Sequence, residues 1–459
     1  MLSCFRPPQA SLLLTLVVVL LAPAALAQNV ITVPQPVASE PIVIINATVY
    51  PVSRAPLDNA RIRIENGRIS AIGGAEVSAT GARVIDAQGK RVYPGMINAN
   101  TLVGLVEVSA ARATVDIAEV GPVNPNVRAQ TALNPDSELI PVTRVNGVLV
   151  ALSVPQPGAT GVITGQSALV GLEGWTWEEL TLKSPVGMHL HWPSLLVPGF
   201  LPPPLREQVI KVQREKREAL TAAMRDARAW REAKRGGQVS QPDLRWEAMM
   251  PVLDGTLPLY IHADDFESIQ SALAFAAKEA LNPVLVGGLE AWRLAPLLKA
   301  RDVPVILGGV HRLPLRRSDP FDAVFASAAQ LQAAGVRFAI ATAANDSEWN
   351  ARNLPYHAAT AAAYGLDPAL ALRAVTLSAA EILGVADRLG SLDVGKDATL
   401  FITDGDPLDI RSNPTHAFIG GREIDMQSRH TRLNAKYLQR LQQRGLIQAP
   451  AAPASAPAP

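Results

Sequence analysis

Cysteine is almost absent from this sequence. The chain has 459 residues and a single cysteine, Cys4, which lies in an apolar N-terminal segment. One cysteine cannot form an internal disulfide or a zinc site built from several thiolates. If the N-terminal segment is removed, a thiolate nucleophile is excluded as well.

The N-terminal segment has the pattern of a secretory signal peptide, which we assign to residues 1–27. Arg6 supplies a positive charge, residues 12–21 read LLLTLVVVLL, and residues 25–27 read ALA, a small-residue cleavage site. The apolar run is shorter than an ordinary membrane span. We therefore expect an exported protein, soluble in the periplasm or outside the cell, that is not an integral membrane protein after cleavage. A retained N-terminal anchor is the alternative.

The sequence also lacks an excess of charge of either sign. It has 42 basic and 41 acidic residues, and removal of Arg6 with the signal leaves 41 of each, a net charge of zero. This balance gives no indication of nucleic acid or of an anionic membrane surface as a partner. Residues 449–459 contain only Pro, Ala and Ser and are predicted to form a disordered tail.

Strand-like and helix-like segments alternate through the middle of the chain. Short apolar runs at residues 145–154, 257–262 and 337–342 are separated by helical patterns such as residues 265–281. This alternation predicts an α/β fold, and we expect a (β/α)8 TIM-type barrel over residues 97–386. A doubly wound open sheet is the alternative, although no glycine-rich nucleotide motif follows a strand.

Short β-rich segments lie on both sides of this central region. One set occurs between residues 42 and 72, and a similar pattern returns between residues 390 and 424. Because exposed strand edges are costly, we expect residues 32–96 and residues 387–447 to combine into one small β-sandwich domain.

Two phrases at the borders of the predicted barrel carry a family resemblance. Residues 84–104 read VIDAQGKRVYPGMINANTLVG, and residues 375–409 read VTLSAAEILGVADRLGSLDVGKDATLFITDGDPLD. Both phrases resemble the amidohydrolase superfamily, specifically its imidazolonepropionase-like, secreted branch. The resemblance implies a metal-dependent hydrolase of non-peptide C–N bonds, with zinc at the C-terminal ends of the barrel strands.

The resemblance also shows that the metal ligands expected after the first strand are replaced. The family's aspartate position corresponds to Asn98, and its two histidine positions correspond to Asn100 and Leu102. A leucine side chain has no lone pair to donate to a metal. The bridging lysine expected at the end of strand four is missing too, since the nearby Lys183 precedes the apparent strand.

One histidine of the family's set is clearly retained. His262 stands where the fifth strand ends, whereas Gly287 occupies the sixth-strand histidine position. The eighth-strand aspartate position corresponds to Ala343, and Asp346 lies three residues further on. We take His262 and Asp346 as the candidate catalytic residues and expect an eroded site without a resident zinc ion or other cofactor.

Two further groups of polar residues lie near predicted strand ends. His189 and His191 share one face of a short strand that, as strand four, would neighbour His262. They predict a hydrogen-bonded pair, with a relocated metal site as the alternative. The loop that contains His311 and Arg312 could hold a carboxylate or phosphate, or could be a solvated loop.

Three functions are compatible with these observations. We expect an inactive or strongly weakened family member that binds a small molecule at the old pocket. The first alternative is an active hydrolase of C–N bonds that uses a relocated metal, or His262 with Asp346 and no metal. The second alternative is a structural partner of an intact paralogue, in a homo- or hetero-oligomer.

The predicted export has a direct test. Mass spectrometry of the protein purified from its native host is expected to find a mature N-terminus at Gln28. A native chain that still begins at Met1 would contradict the assignment of residues 1–27.

Overall fold

The structure is a computed structural model that describes residues 33–197, 199–343 and 348–448. The predictions made for residues 1–27, for residues 449–459 and for Asp346 lie outside the described residues.

Strands and helices alternate along the described chain. The strands are β1 Ile42–Val49, β2 Leu57–Glu65, β3 Arg68–Gly73, β4 Arg83–Asp86, β5 Arg91–Pro94, β6 Met96–Thr101, β7 Val148–Ser153, β8 Ile163–Gln166, β9 Ala168–Gly171, β10 Thr181–Lys183, β11 Met188–His191, β12 Leu259–Ala263, β13 Pro283–Gly287, β14 Val305–Gly308, β15 Phe338–Ala341, β16 Leu400–Thr403, β17 Pro414–Ile419 and β18 Arg422–Glu423. The α-helices are α1 Leu139–Arg144, α2 Trp177–Leu180, α3 Pro203–Arg235, α4 Leu244–Leu253, α5 Phe266–Lys278, α6 Ala295–Ala300, α7 Ser327–Ala333, α8 Leu354–Ala363, α9 Pro368–Ala374, α10 Leu377–Ile382 and α11 Arg429–Gln443.

The first sheet is built from both ends of the described chain. Its order is β18-β17-β16-β5-β1-β2-β3. Strand β4 pairs with residues 42–45 of β1, and β5 pairs with residues 48–49 of the same strand. The two ends meet where β5 runs antiparallel to β16, with Tyr93 opposite Phe401. Both aromatic rings are buried, and they stack at 5.8 Å between centroids. The two chain ends therefore share one sheet, whereas a two-layer sandwich stays a prediction.

The central region forms two further sheets. One has the order β10-β9-β7-β6, and the other has the order β15-β14-β13-β12-β11-β8. Strands β11 to β15 are parallel, as are β6 and β7. The predicted mixed α/β fold is confirmed.

Strands β8 and β9 depart from the predicted parallel pattern. Strand β9 runs antiparallel to β7, and β8 runs antiparallel to β11. The connection from Ser153 to Ile163 contains no helix among its described residues. A parallel crossover needs a dozen or more residues and usually a helix, so this short connection favours an antiparallel return.

The first and last parallel strands meet through a side chain. In the described residues no backbone ladder pairs β6 with β15. Instead, Asn98 Nδ2 donates to Thr342 Oγ1 at 2.8 Å and to the carbonyl of Ala351 at 3.3 Å, and Asn98 Oδ1 accepts from Thr342 N at 3.2 Å. Asn98 is fully buried, so this satisfied amide holds two sheet edges together.

The helices that follow the parallel strands are amphipathic and cover them. Helix α5 follows β12, and its N-cap residue Asp265 accepts a hydrogen bond from Ser268 N at 2.9 Å. Its residues Ile269, Ala272 and Leu273 are buried against the sheet. Among the described residues, no helix combines the length and the apolar character needed to cross a bilayer.

A buried ion pair lies at the end of β9. Arg144 of α1 donates to the carboxylate of Glu173 and, at 3.0 Å, to the carbonyl of Leu172. Both charged side chains are almost inaccessible to solvent. Burial lowers the pKa of Arg144 and raises the pKa of Glu173, and each partner opposes the effect on the other.

Removal of one partner of this pair is expected to destabilise the protein strongly. Arg144→Met should lower the free energy of unfolding by about 3–5 kcal/mol, because it leaves the carboxylate of Glu173 buried without its counter-ion. Urea denaturation measures the change. The control is the double variant Arg144→Met with Glu173→Leu, which should recover most of the loss; an equal loss in both variants would contradict the argument.

Candidate functional site

A cavity of about 500 Å³ opens where the parallel strands end. We call it the strand-end pocket. It is lined by residues at or just after the C-terminal ends of β11 to β15, namely His191, His262, Gly287, Gly308 and Ala343. Active sites of α/β proteins with parallel strands lie at this end of the sheet, because the loops that follow the strands converge there.

Three histidines form a packed cluster in the wall of the pocket. Strands β11 and β12 are in parallel register, which places His191 opposite His262. The two rings stack with centroids 4.0 Å apart and an angle of 11° between their planes. His189, two residues before His191, lies 2.9 Å from His262 through its Nδ1 and the Nε2 of His262. The structure thus brings the sequence-predicted pair and His262 together, but the hydrogen bond joins His189 to His262, and His191 contacts His262 by ring stacking.

The cluster is electrically neutral near pH 7. Burial lowers the pKa of His189 and His262 well below the usual value, and each is lowered further by neighbouring histidines. Burial also lowers the pKa of His191 to about 4, which a hydrogen bond to the carbonyl of Pro155 opposes. Since His191 Nε2 has no hydrogen-bond partner among the described residues, its Nδ1 is the atom that donates to this carbonyl.

The aspartate position and the two histidine positions of the family's first-strand motif hold side chains with other roles. The side-chain amide of Asn98 is hydrogen-bonded to Thr342 and to the carbonyl of Ala351, as described above. Asn100 is buried and lines the pocket, and its Oδ1 has no hydrogen-bond partner among the described residues. Leu102 is buried in a small apolar group with Val106. A neutral amide and a leucine do not supply the ligands that zinc requires.

The remaining family positions do not supply ligands either. Gly287 has a φ of +95°, and a Cβ built there would lie 2.5 Å from Asp264 Oδ1, so a histidine would not fit without movement of Asp264. Ala343 has no donor atom, and Lys183 Nζ donates to the carbonyls of Leu383 and Gly384 instead. In the part of the chain that the structure describes, no group of three or more His, Cys, Asp or Glu side chains is arranged to hold a metal. These residues do not fit a zinc ion.

Two charged residues that face the pocket extend the predicted site. Asp264 follows His262 by two residues, and its Oδ2 lies 3.5 Å from Nη1 of Arg312. The side chains keep 39% and 28% of their exposure, so both remain accessible. Burial by the surrounding protein raises the pKa of Asp264, and Arg312 opposes this effect. Sequence reasoning missed Asp264, although its position directly after a strand-end histidine was a usable signal.

The other basic residues of the loop are directed elsewhere. His311 stacks on His357 at 4.1 Å, and its Nε2 lies 2.7 Å from Thr360 Oγ1. Arg316 donates to Glu267 and Glu290. Arg312 is therefore the one cation of the predicted basic loop that lines the strand-end pocket within the described residues.

Comparisons with known proteins agree with this architecture. A model of the amidohydrolase family matches residues 321–426. Over 151 residues the chain is 30% identical to an imidazolonepropionase from Brucella anthropi. This alignment covers 32% of this chain and 35% of that enzyme. Over 72 residues it is 38% identical to an amidohydrolase from Hapsidospora irregularis, in an alignment that covers 16% of this chain and 7% of that protein. The chain thus spans about a third or less of the length of these curated relatives.

A solved structure gives the more extensive match. An amidohydrolase from Thermotoga maritima superposes with a TM-score of 0.74 and 25% sequence identity, covering 84% of this chain and all of that one. An amidohydrolase of lower identity, 16%, superposes with a TM-score of 0.52 and shows the fold alone. Together with the family model, these similarities support the resemblance of the chain to the amidohydrolase superfamily.

The neutral histidine cluster predicts a pH-dependent stability. Burial lowers the pKa of His191 in the folded protein to about 4, from an ordinary value of 6.5. Between these pH values His191 is protonated in the unfolded chain and neutral in the folded chain. The free energy of unfolding should therefore fall as the pH is lowered through this window. Each such histidine contributes up to ~1.4 kcal/mol per pH unit. Urea denaturation across the window should give a steeper slope for the natural protein than for His191→Asn, and equal slopes would contradict the prediction.

Proposed function

We propose that the protein binds a small molecule in the strand-end pocket and that hydrolysis by the family's metal mechanism is lost or strongly weakened. The observation that carries the proposal is a contrast within one site. The pocket retains His262, Asp264 and Arg312 on its walls, whereas the family's two first-strand histidine positions hold a neutral amide, Asn100, and an apolar side chain, Leu102. A metal hydrolase needs a bound ion to generate hydroxide near neutral pH, and this donor set does not support one.

The proposal includes a closed barrel as its scaffold. We infer that the two central sheets form one barrel of eight strands, in which β8 and β9 act as a single antiparallel strand between β7 and β11. Two observations support closure: the Asn98–Thr342 bonds between β6 and β15, and the direct succession of β8 and β9 along the chain. Export to the periplasm or the cell exterior belongs to the same proposal and rests on the signal pattern in the sequence.

The charges of the pocket indicate what the ligand carries. Among the described residues Arg312 makes one long side-chain contact, to Asp264, so most of its five N–H donors are left there for a ligand. A carboxylate is the group that its planar fork binds best. Asp264, with an accessible carboxyl group, is placed to accept an N–H of the same ligand. We propose an amide or amine that also bears a carboxylate, which is compatible with a family that acts on C–N bonds.

Metal-free hydrolysis of such a compound is the second candidate function. The observation that favours it is His262, a neutral imidazole that lines the pocket two residues before Asp264. A neutral histidine can act as a general base, which contributes typically 10²–10⁴-fold to a rate. The role of Asp346 remains a proposal of the same kind. The polar lining of the pocket argues against a purely structural partner of an intact paralogue, whose pocket we would expect to be filled with apolar side chains.

Ligand binding is tested with the charge of Arg312. A thermal-shift or calorimetric screen should find N-acyl amino acids that bind more tightly than their uncharged amide analogues. Arg312→Gln should reduce this preference by about 10–100-fold, since a hydrogen bond to a charged group contributes about 1.5–3 kcal/mol. Arg317→Gln is the matched control, because Arg317 lies on the same loop but is exposed and does not line the pocket. An equal effect of both substitutions would contradict the assignment of Arg312.

The loss of the metal mechanism is tested by elemental analysis. The natural protein, purified without chelators, should contain well under one zinc-like ion per chain, and added zinc should not raise its hydrolysis of N-acyl amino acids. A stoichiometric metal that is removed by His191→Ala or His262→Ala would overturn this part of the proposal. It would establish instead a relocated metal site on strands β11 and β12.

A further inference from the structure

The C-terminal helix α11 is a well-defined helix that contacts the protein body near its N-terminus but buries none of its residues. Its N-terminus is fixed by a capping box, in which Ser428 Oγ accepts from Thr431 N and Thr431 Oγ1 accepts from Ser428 N. No residue of the helix is buried. From residue 433 to residue 448, every residue except Gln442 is exposed.

The exposed helix carries a row of large apolar side chains. Leu433, Tyr437 and Leu441 are spaced by four residues and so lie on one face, and Leu438 extends this face by one residue. These four side chains are 36–54% exposed. An isolated helix of about 15 residues is marginal in water, and its stability normally comes from packing of the apolar face. The face therefore needs a partner that the described part of the chain does not provide.

The charges on the helix are all of one sign. Between residues 428 and 448 there is no Asp or Glu, and there are five cationic side chains, Arg429, Arg432, Lys436, Arg440 and Arg444. Arg432, in the first turn, lies 3.6 Å from Glu138 of the protein body. Lys436, Arg440 and Arg444 have no ion-pair partner among the described residues.

This charge pattern indicates which kind of partner would bind the apolar face of α11. A second copy of the same helix would bring another five cations to the contact with no acidic residue to pair them, which is unfavourable. An anionic surface would neutralise them instead. A helix with Leu and Tyr on one face and Lys or Arg alongside is typical of helices that lie in the interface of a lipid bilayer.

We propose that α11 docks on the surface of a membrane that contains anionic lipids. The helix would lie parallel to the surface, with Leu433, Tyr437, Leu438 and Leu441 between the headgroups and Lys436 and Arg440 against lipid phosphates. The zero net charge of the chain does not oppose this, because the cations are concentrated in one segment. The strand-end pocket would then be held at a membrane surface by a peripheral contact.

Vesicle binding by the full chain, with its signal removed, tests the proposal. Cosedimentation should show binding to vesicles of phosphatidylcholine with phosphatidylglycerol, weak binding to phosphatidylcholine alone, and a loss of binding at high salt. Each cation near such a surface contributes about fivefold to the partition coefficient. The double variant Lys436→Gln with Arg440→Gln should therefore bind about 25-fold more weakly.

A matched control removes the same charge elsewhere. Lys211 and Arg214 are exposed on α3 and lie opposite Glu215 and Glu218 at 3.9 Å, so Lys211→Gln with Arg214→Gln changes the net charge equally. This control should bind vesicles as the natural protein does. A separate variant, Tyr437→Ser with Leu441→Ser, should lose binding while its thermal unfolding is unchanged, because neither residue is buried.

Four outcomes would overturn the proposal. The first is equal binding to neutral and anionic vesicles, and the second is an equal loss of binding in the α3 and α11 charge variants. The third is a natural protein that is dimeric in solution and becomes monomeric on Tyr437→Ser with Leu441→Ser, which would assign the face to a second copy. The fourth is binding to polyglutamate without binding to vesicles, which would assign the face to an acidic protein.

Discussion

The buried amide of Asn98 is the contact on which the geometry of the site depends. It joins β6 to β15, where the described residues form no backbone ladder, and it satisfies its own donors and acceptor in doing so. An aspartate at this position would place a carboxylate beside the carbonyl of Ala351, without the N–H that Asn98 now donates. An unpaired buried charge is far more costly than a satisfied amide. Asn98, at the family's aspartate position, therefore links β6 to the end of β15 through side-chain hydrogen bonds.

The histidine cluster follows a similar logic. His189 and His262 share one hydrogen bond, and His191 lies flat against His262, so all three rings are stabilised as neutral groups. A proton added to one of them would place a charge in a buried and already hydrogen-bonded setting. A metal ion at His262 Nε2 would displace His189 from its partner. The cluster is thus organised for packing and hydrogen bonding, and His262 is available to the pocket as a neutral imidazole.

Much of the fold could be predicted from the sequence because its signals are local. The run LPLYIH ends at His262, and the structure has β12 there, buried from Leu259 to Ile261. The alternation of His189 and His191 also placed both rings correctly beside His262. The antiparallel course of β8 and β9 was not predicted, because strand direction depends on the length of a connection and not on the pattern within a strand. Asp264 and Arg312 were not paired in advance either, since 48 residues separate them and only the packed strands bring them together.

The location of the replaced residues explains why the fold can persist without the family's ligands. The parallel strands are held by apolar residues along their length, such as Leu149 and Val150 of β7 and Leu285 of β13, which belong to the two large central cores. Leu102, by contrast, belongs to a small group beyond the end of β6. Residues at the C-terminal ends of the strands shape the pocket, and those further back stabilise the sheet. Replacement of ligands at the strand ends therefore changes the chemistry of the pocket while the packing that positions it is maintained.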